Sequence, residues 1–337
     1  MRIALDAFGS DKAPSPEVEG AVLAVKENLC QKVILVGDEK ILSAELSKYY
    51  YDKTRIDIVH ASEVIGMSDE PAEAARKKRE SSMVKAIRLH KDGLADGIVS
   101  AGNSGAMMAA SLIVLGRIKG VLRPAIAITF PTKYGSEIIL DVGANADCDS
   151  KQLVQFAELG SMYSQFINKI DRPRVSLLNI GEEDKKGNEL TKEVHRLLAS
   201  KHNLNFIGNI EGKDILKGIT DVIVCDGFTG NVMLKTVEGA ALAIFEILKE
   251  QFEKDWIAKI GALLSVPVYN YLKRKLDHTE YGGALLIGLK GIPIVSHGRS
   301  NGKAIKNAIK LASTLADTDF IKQSSDYFVR KKDEVQS

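Results

Sequence analysis

Short apolar runs rich in Val and Ile alternate with stretches of helical spacing along most of the chain, and many of these runs end in a polar loop that carries glycine. This alternation restricts the fold more than any other feature. Parallel strands need a long crossover, usually a helix, so strand–helix alternation implies a mostly parallel sheet with helices on both faces. The predicted strands are Ile3–Leu5, Val33–Val36, Ile56–Val59, Gly97–Ser100, Ala125–Phe130, Glu137–Val142, Val175–Ile180, Phe206–Ile210, Val222–Cys225 and Pro293–Val295. Helices are predicted between most of them, for example at Pro16–Asn28, Ser82–His90, Ser150–Asn168 and Glu189–Ser200. The fold class is therefore α/β, a three-layer α/β/α arrangement, and ligands of such sheets sit at the carboxyl ends of strands.

The chain has 337 residues, of which 45% are apolar and 27% charged, enough for one large domain or two smaller ones. A net charge of +2 without a long Lys/Arg block does not suit a nucleic-acid partner. Cys30, Cys148 and Cys225 share no metal-ligand spacing and read as free thiols in a reducing compartment. Met1 leads directly into the first strand, and no run approaches the roughly 18 apolar residues of a membrane span. A cytoplasmic location is expected.

Two loops carry the chemistry best. In A-G-N-S-G-A, Gly102 and Gly105 let the backbone turn N–H groups toward a ligand, and Asn103 and Ser104 add side-chain donors ahead of an apolar helix. D-G-F-T-G-N repeats the pattern with Gly227, Thr229 and Gly230. Thr229 or Asn231 can cap the helix that follows. Asn231 can also turn its amide NH2 into a cleft, where an uncharged donor suits a developing oxyanion. The segments Ala95–Met108 and Thr220–Met233 align without gaps with six identities, which fits either a repeated lobe or two similar corners.

Four further polar loops end strands. Leu5–Pro14 contains Asp6 and Asp11, and Asp141–Cys148 contains Asn145. Asn179–Glu189 contains Lys185 and Lys186, and Ser296–Ala304 contains His297, Arg299 and Ser300. Six such loops in one chain favour a large polar cleft for an oxyanion-bearing ligand. Neither a G-x-G-x-x-G nor a G-x-x-x-x-G-K-[ST] motif occurs, and no H-E-x-x-H or G-x-S-x-G. The acids Asp6, Asp11, Asp141 and Asp226 read as ordinary strand-end residues, so neither a metal nor a cofactor is expected. His297 reads as a base or as a capping residue. Cys225 is a rival covalent nucleophile, although no histidine lies near it in sequence.

Taken together, L-D-A-F-G-S-D-K-A-P, V-S-A-G-N-S-G-A-M-M-A, R-P-A-I-A, D-V-G-A-N, N-I-G-E-E-D-K-K-G-N-E and D-G-F-T-G-N resemble the acyl-carrier-protein:phosphate acyltransferases of bacterial phospholipid synthesis, from Ile3 to about Lys303. Phe8, Ser10 and Ser104 depart from the residues expected at their positions but keep their size or hydroxyl character. The resemblance implies one domain, residues 1–337, of two interlocked lobes like those of isocitrate and isopropylmalate dehydrogenases and phosphotransacetylases. It implies transfer of a fatty acyl group from the thioester of acyl carrier protein to inorganic phosphate, giving an acyl phosphate. A membrane glycerol-phosphate acyltransferase then uses that product. Lys186 matches the family's catalytic lysine, with Lys185 the weaker candidate, and a homodimer peripherally associated with the membrane is implied. Two other readings share the architecture: an NAD-dependent decarboxylating dehydrogenase, and a non-catalytic phosphate- or lipid-binding module.

Residues 251–280 read as an amphipathic helical protrusion, with Phe252, Trp256, Ile257, Ile260, Leu263 and Leu264 forming a stripe that Pro267 breaks. Such a stripe is either packed inside the protein or a dimer, or laid on an anionic membrane. The basic residues Lys273, Arg274 and Lys275 could then meet lipid or acyl carrier protein. A second basic cluster lies at Arg76–Arg79.

Overall fold

The computed structural model describes the backbone of residues 1–276 and 282–336, and the side chains of all of these except 270, 273–276 and 333–336. The strands are β1 (Arg2–Asp6), β2 (Lys32–Gly37), β3 (Ile56–His60), β4 (Gly97–Ser100), β5 (Ala125–Thr132), β6 (Gly135–Leu140), β7 (Arg174–Asn179), β8 (Asn205–Glu211), β9 (Val222–Val224), β10 (Ala284–Ile287) and β11 (Pro293–Val295). The helices are α1 (Ser15–Lys26), α2 (Glu39–Leu46), α3 (Pro71–Lys77), α4 (Ser82–Lys91), α5 (Ser104–Val114), α6 (Ser150–Ile167), α7 (Glu189–Ala199), α8 (Gly227–Glu253), α9 (Trp256–Leu276), α10 (Gly302–Ala316) and α11 (Phe320–Gln336). Each predicted strand is present. The strand β10 has no counterpart among the predictions.

All eleven strands form one sheet in the order β3-β2-β1-β4-β11-β10-β5-β6-β9-β7-β8. The first five are parallel to one another, as are the last four. Between them β10 and β5 pair antiparallel with each other and with their outer neighbours, so the two parallel blocks run in opposite directions. Register then decides where the site lies. Ala284 pairs with both Val295 and Ile128, which sets the end of β11 beside Ile128. Ile128 pairs with Ile139, and the next residue, Leu140, pairs with Val224 at the end of β9. The carboxyl ends of the two blocks therefore face each other across β5 and β10.

Both faces of the sheet are covered, so strand residues alternate between two apolar clusters rather than between core and water. Ile3 and Leu5 of β1 join the cluster under α1, α6, α10 and α11, while Ala4 joins the one under α3, α4 and α5. The second block has α6 and α7 on one face, and α8 with a short 3₁₀ turn on the other.

The aligned segments found in the sequence occupy equivalent places. Asp96, just before β4, accepts the backbone N–H of Arg2 at 2.7 Å and its guanidinium at 2.9 Å. Asp221, just before β9, holds Arg174 of β7 in the same way at 2.7 and 2.9 Å. Each clamp joins a strand to its parallel neighbour in the same register, Ile3 with Gly97 and Val175 with Val222. Such charge-assisted, forked pairs are strong and directional. The helices that follow start two aligned positions apart, at Ser104 and Gly227.

The pair α8 and α9 projects from the body as two helices, with Phe245 edge-on to Tyr269 at 5.2 Å. Pro267 does not break α9, which continues to Leu276. A proline removes one donor and crowds the preceding turn, but on an exposed helix water can take over the freed carbonyl. The protrusion thus begins before residue 251, within α8. Trp256, Leu263 and Leu264 are 71–77% exposed, so in this chain they are not packed inside the body. The side chains of Lys273, Arg274 and Lys275 lie outside the described residues. Among the described residues no helix is long and apolar enough to cross a membrane.

Candidate active site

Where the two sets of carboxyl ends meet there is a cavity of about 260 Å³. Its polar lining comes from Ser104, Asn231, Ser296, His297 and Ser300, and from Lys235 and Glu238 of α8. Its apolar lining comes chiefly from β5 and α8, with Ala284 of β10. The strands β4, β9 and β11 bring Ser104, Asn231 and His297 together from widely separated parts of the chain.

The A-G-N-S-G-A loop is held from below. Ser100 donates its hydroxyl to Asp6 at 2.7 Å and accepts the N–H of Gly102 at 3.1 Å. Burial raises the Asp6 carboxyl above its ordinary value, against the hydrogen bonds from Ser82 and Ser100. Asn103 is the N-cap of α5. Its carbonyl oxygen accepts the Ala106 N–H at 3.0 Å, and its NH2 donates to the backbone of Met67 and Asp69. The Asn103 side chain therefore serves the fold. Ser104 and Gly105 are exposed first-turn residues, whose N–H groups have no carbonyl within the helix.

The D-G-F-T-G-N corner is closed differently. Asp226, not Thr229 or Asn231, caps α8 and accepts both the N–H and the hydroxyl of Thr229 at 2.8 Å. The N–H of Gly227 donates to Asn145 and that of Gly230 to Asp226. A Cβ on Gly230 would stand 1.9 Å from the Asp141 carbonyl oxygen, so glycine is required there for close packing. The donors of Gly227, Thr229 and Gly230 are thus taken up within the chain, beside a carboxylate. Only Asn231 of this corner lines the cavity, one turn into the helix.

The other candidates fall into two groups. Asp6 and Asn145 are buried scaffold. The Asn145 NH2 donates to Pro124 at 2.8 Å and to Asp141 at 2.9 Å, and Asp141 gathers the N–H groups of Ile126, Gly143, Ala144 and Asn145. Asp11, His297 and Arg299 meet at the rim, where the Asp11 N–H donates to Gly298 and the Arg299 N–H donates to His297 Nδ1 at 3.1 Å. That bond occupies His297 Nδ1 as an acceptor. Asn301 rather than His297 caps α10.

Lys186 lies in the β7–α7 loop and is exposed, as is Lys185. Its turn depends on Gly187, whose φ of +100° and close approach to Thr191 and Asn179 exclude a side chain. Asn179 also donates to the Lys186 carbonyl at 3.0 Å. Because β7 neighbours β9, the loop flanks the Asn231 corner, but Lys186 is not among the residues that line the cavity. Lys235 does line it and pairs with Glu238 at 2.8 Å. The sequence reading missed both. Their signal was the polar interruption of an apolar helix one turn beyond Asn231. At the second basic cluster, Lys77 is paired with Glu73, and Lys78 with Asp69.

Cys225 is buried. Its thiol contacts the Asp141 carbonyl at 3.4 Å, and desolvation with Asp226 and Asp141 nearby pushes its pKa well up. A thiol so held is a poor nucleophile.

A two-block mixed sheet with an anion-suited helix start and an apolar wall defines an α/β enzyme scaffold that also occurs in phosphotransacetylases. EutD phosphotransacetylase from Staphylococcus aureus aligns over 94% of each chain with a TM-score of 0.60 at 16% identity, and a phosphotransacetylase from Streptococcus pyogenes gives the same figures. At that identity the likeness concerns the fold. A family model described as "Fatty acid synthesis protein" matches residues 1–323. The phosphate acyltransferase of Alkaliphilus oremlandii (strain OhILAs) is 49% identical over 326 residues, 97% of each chain. That of Dictyoglomus thermophilum is 51% identical over 314 residues, 93% of each chain. The chain belongs to this family of phosphate acyltransferases.

Proposed function

We propose that the protein moves a fatty acyl group from the thioester of acyl carrier protein to inorganic phosphate and releases an acyl phosphate for phospholipid synthesis. The observation that carries this reading is a cavity that joins the polar side chains of Ser104, Asn231 and His297 to apolar residues of β5 and α8. Phosphate is partly dianionic at neutral pH and needs orienting more than deprotonating. It would sit at the start of α5, on the N–H groups of Ser104 and Gly105 and the Ser104 hydroxyl. A phosphate oxygen bonds to the thioester carbon, the Asn231 amide donates to the oxyanion so formed, and the C–S bond then breaks to release a thiolate. Lys186 supplies positive charge from the neighbouring loop.

The exposed apolar face of α8 and α9 supports contact with a membrane surface or with a second subunit. Peripheral attachment would hand the product to a membrane glycerol-phosphate acyltransferase. We assign the enzyme to the cytoplasmic side as a homodimer. Mixing the protein with acyl-carrier-protein thioester tests the reaction: thiol should appear only when phosphate is present, with acyl phosphate in equal amount. Thiol release indifferent to phosphate would overturn the reading.

A further inference from the structure

The turn that carries Lys186 is held from three sides. Asn179, at the end of β7, donates to the Lys186 carbonyl at 3.0 Å. Asn209 of β8 donates its NH2 to the Glu183 carbonyl at 3.0 Å, and that carbonyl also accepts the Lys186 N–H. The third hold is His195, buried on α7, whose Nε2 lies 3.3 Å from Asp184 Oδ1. Its other ring nitrogen, Nδ1, lies 2.9 Å from Asn209 Oδ1. Because Asn209 turns its NH2 to Glu183, the atom that faces Nδ1 is an oxygen, which only accepts. Nδ1 therefore carries a proton. A neutral ring would then aim the lone pair of Nε2 at a carboxylate. A charged ring donates from both nitrogens and pairs with Asp184.

We infer that His195 is a positioning residue for Lys186: its charged ring fixes the Glu183–Lys186 turn through Asp184, and its neutral ring lets that hold go. The inference rests on the acyl-transfer reading, in which Lys186 supplies positive charge beside the Asn231 corner. Charged groups on the elements packed around α7 are engaged elsewhere. Arg174 of β7 pairs with Asp221, Glu211 of β8 with Lys213, and Glu158 of α6 with Lys331. On α7 itself Lys192 pairs with Glu189, and Glu193 and Arg196 are exposed, as are Lys151 of α6 and Glu182, Glu183 and Lys185 of the loop. From β8, Phe206 meets the imidazole edge-on at 5.1 Å. Asp184 is thus the carboxylate that the ring faces, and without the ring's charge this exposed side chain turns to water. Histidine is the side chain that ordinarily changes charge between about pH 5 and 8. The hold is therefore present at low pH and lost as pH rises.

Two variants test this in the whole protein. His195→Asn keeps a donor toward Asn209 and carries no charge. The ratio of wild-type to His195→Asn kcat cancels the titration of phosphate itself, and should be about threefold larger at pH 6 than at pH 8.5, within the range for a pair with one exposed partner. In a Lys186→Ala background the same substitution should leave that ratio independent of pH, because the turn then carries no lysine to place. In Asp184→Asn the new amide can donate to Nε2 of the neutral ring, so turnover relative to wild type should rise by about threefold from pH 6 to pH 8.5. A wild-type to His195→Asn ratio that is flat with pH overturns the assignment even where phosphate-dependent thiol release is intact. So does an Asp184→Asn variant with the wild-type pH profile. If that release is absent, the acyl-transfer reading fails, and hydrogen exchange still decides whether His195 holds the turn. Protection of residues 180–188, corrected for intrinsic exchange, should fall about threefold from pH 6 to pH 8.5 in wild type and stay level in Asp184→Asn. Equal behaviour of the two proteins would overturn the hold.

Discussion

Replacing Glu137 with glutamine should stabilise the protein at neutral and alkaline pH and leave it unchanged near pH 4. Glu137 is on β6, opposite Phe130, and is fully buried, and among the described residues neither carboxyl oxygen has a hydrogen-bonding partner. Burial, with Asp221 nearby and against the pull of Arg174, raises its pKa from 4.5 to about 9. The folded state keeps the proton between those two values while the unfolded chain loses it. Stability contributed by the protonated acid is therefore complete below pH 4.5 and is lost as pH rises toward 9. The slope is about 1.4 kcal/mol per pH unit, which reaches about 4 kcal/mol by pH 7.5. Unfolding entropy of about 2.1 cal/mol/K per residue gives about 0.7 kcal/mol/K for a chain of this length. The wild-type Tm should therefore drop by about 6 °C relative to Glu137→Gln between pH 4.5 and 7.5. Calorimetry of both proteins across that range checks this. Parallel Tm profiles would refute the idea that an uncompensated carboxyl is buried here.

Other expectations concern the site. Gly230→Ala places a methyl group against the Asp141 carbonyl, and should cost at least about 3 kcal/mol by denaturant unfolding, the upper range for overpacking. Lys186→Ala should lower turnover at least tenfold, whereas Lys235→Ala, whose ammonium is paired with Glu238, should change it less than threefold. Steady-state assays at saturating phosphate separate the two. Leu263→Glu introduces a charge on the exposed face of α9 and should release the protein from anionic vesicles in a flotation assay while soluble turnover is unchanged.

The parts of this architecture that depend on local chemistry were readable in the sequence. β-branched runs marked ten of the strands, and polar loops marked their carboxyl ends, because both signals come from neighbouring residues. The reversal of direction between the two blocks comes from the antiparallel pairing of β5 with β6, which are neighbours in sequence. The insertion of β10 between β11 and β5 was not readable, since it is a four-residue apolar stretch whose antiparallel pairing is decided by partners far along the chain. The same holds for the phosphate loops. The glycines of A-G-N-S-G-A and D-G-F-T-G-N look alike in sequence, yet an acidic cap at Asp226 closes the second, and a serine–aspartate support holds the first. Asn231 was legible as a donor near a helix start. The apolar wall opposite it was not, since Leu234 and Val237 read as ordinary helix core until β5 is set beside them.

Turnover of the Asn231→Ala variant tests the central claim most directly, in an assay of phosphate-dependent thiol release from acyl-carrier-protein thioester. If Asn231 donates to the oxyanion in this cavity, kcat falls by about 10²–10³ while Tm and phosphate dependence persist. Near-wild-type turnover in a folded Asn231→Ala protein would contradict the account.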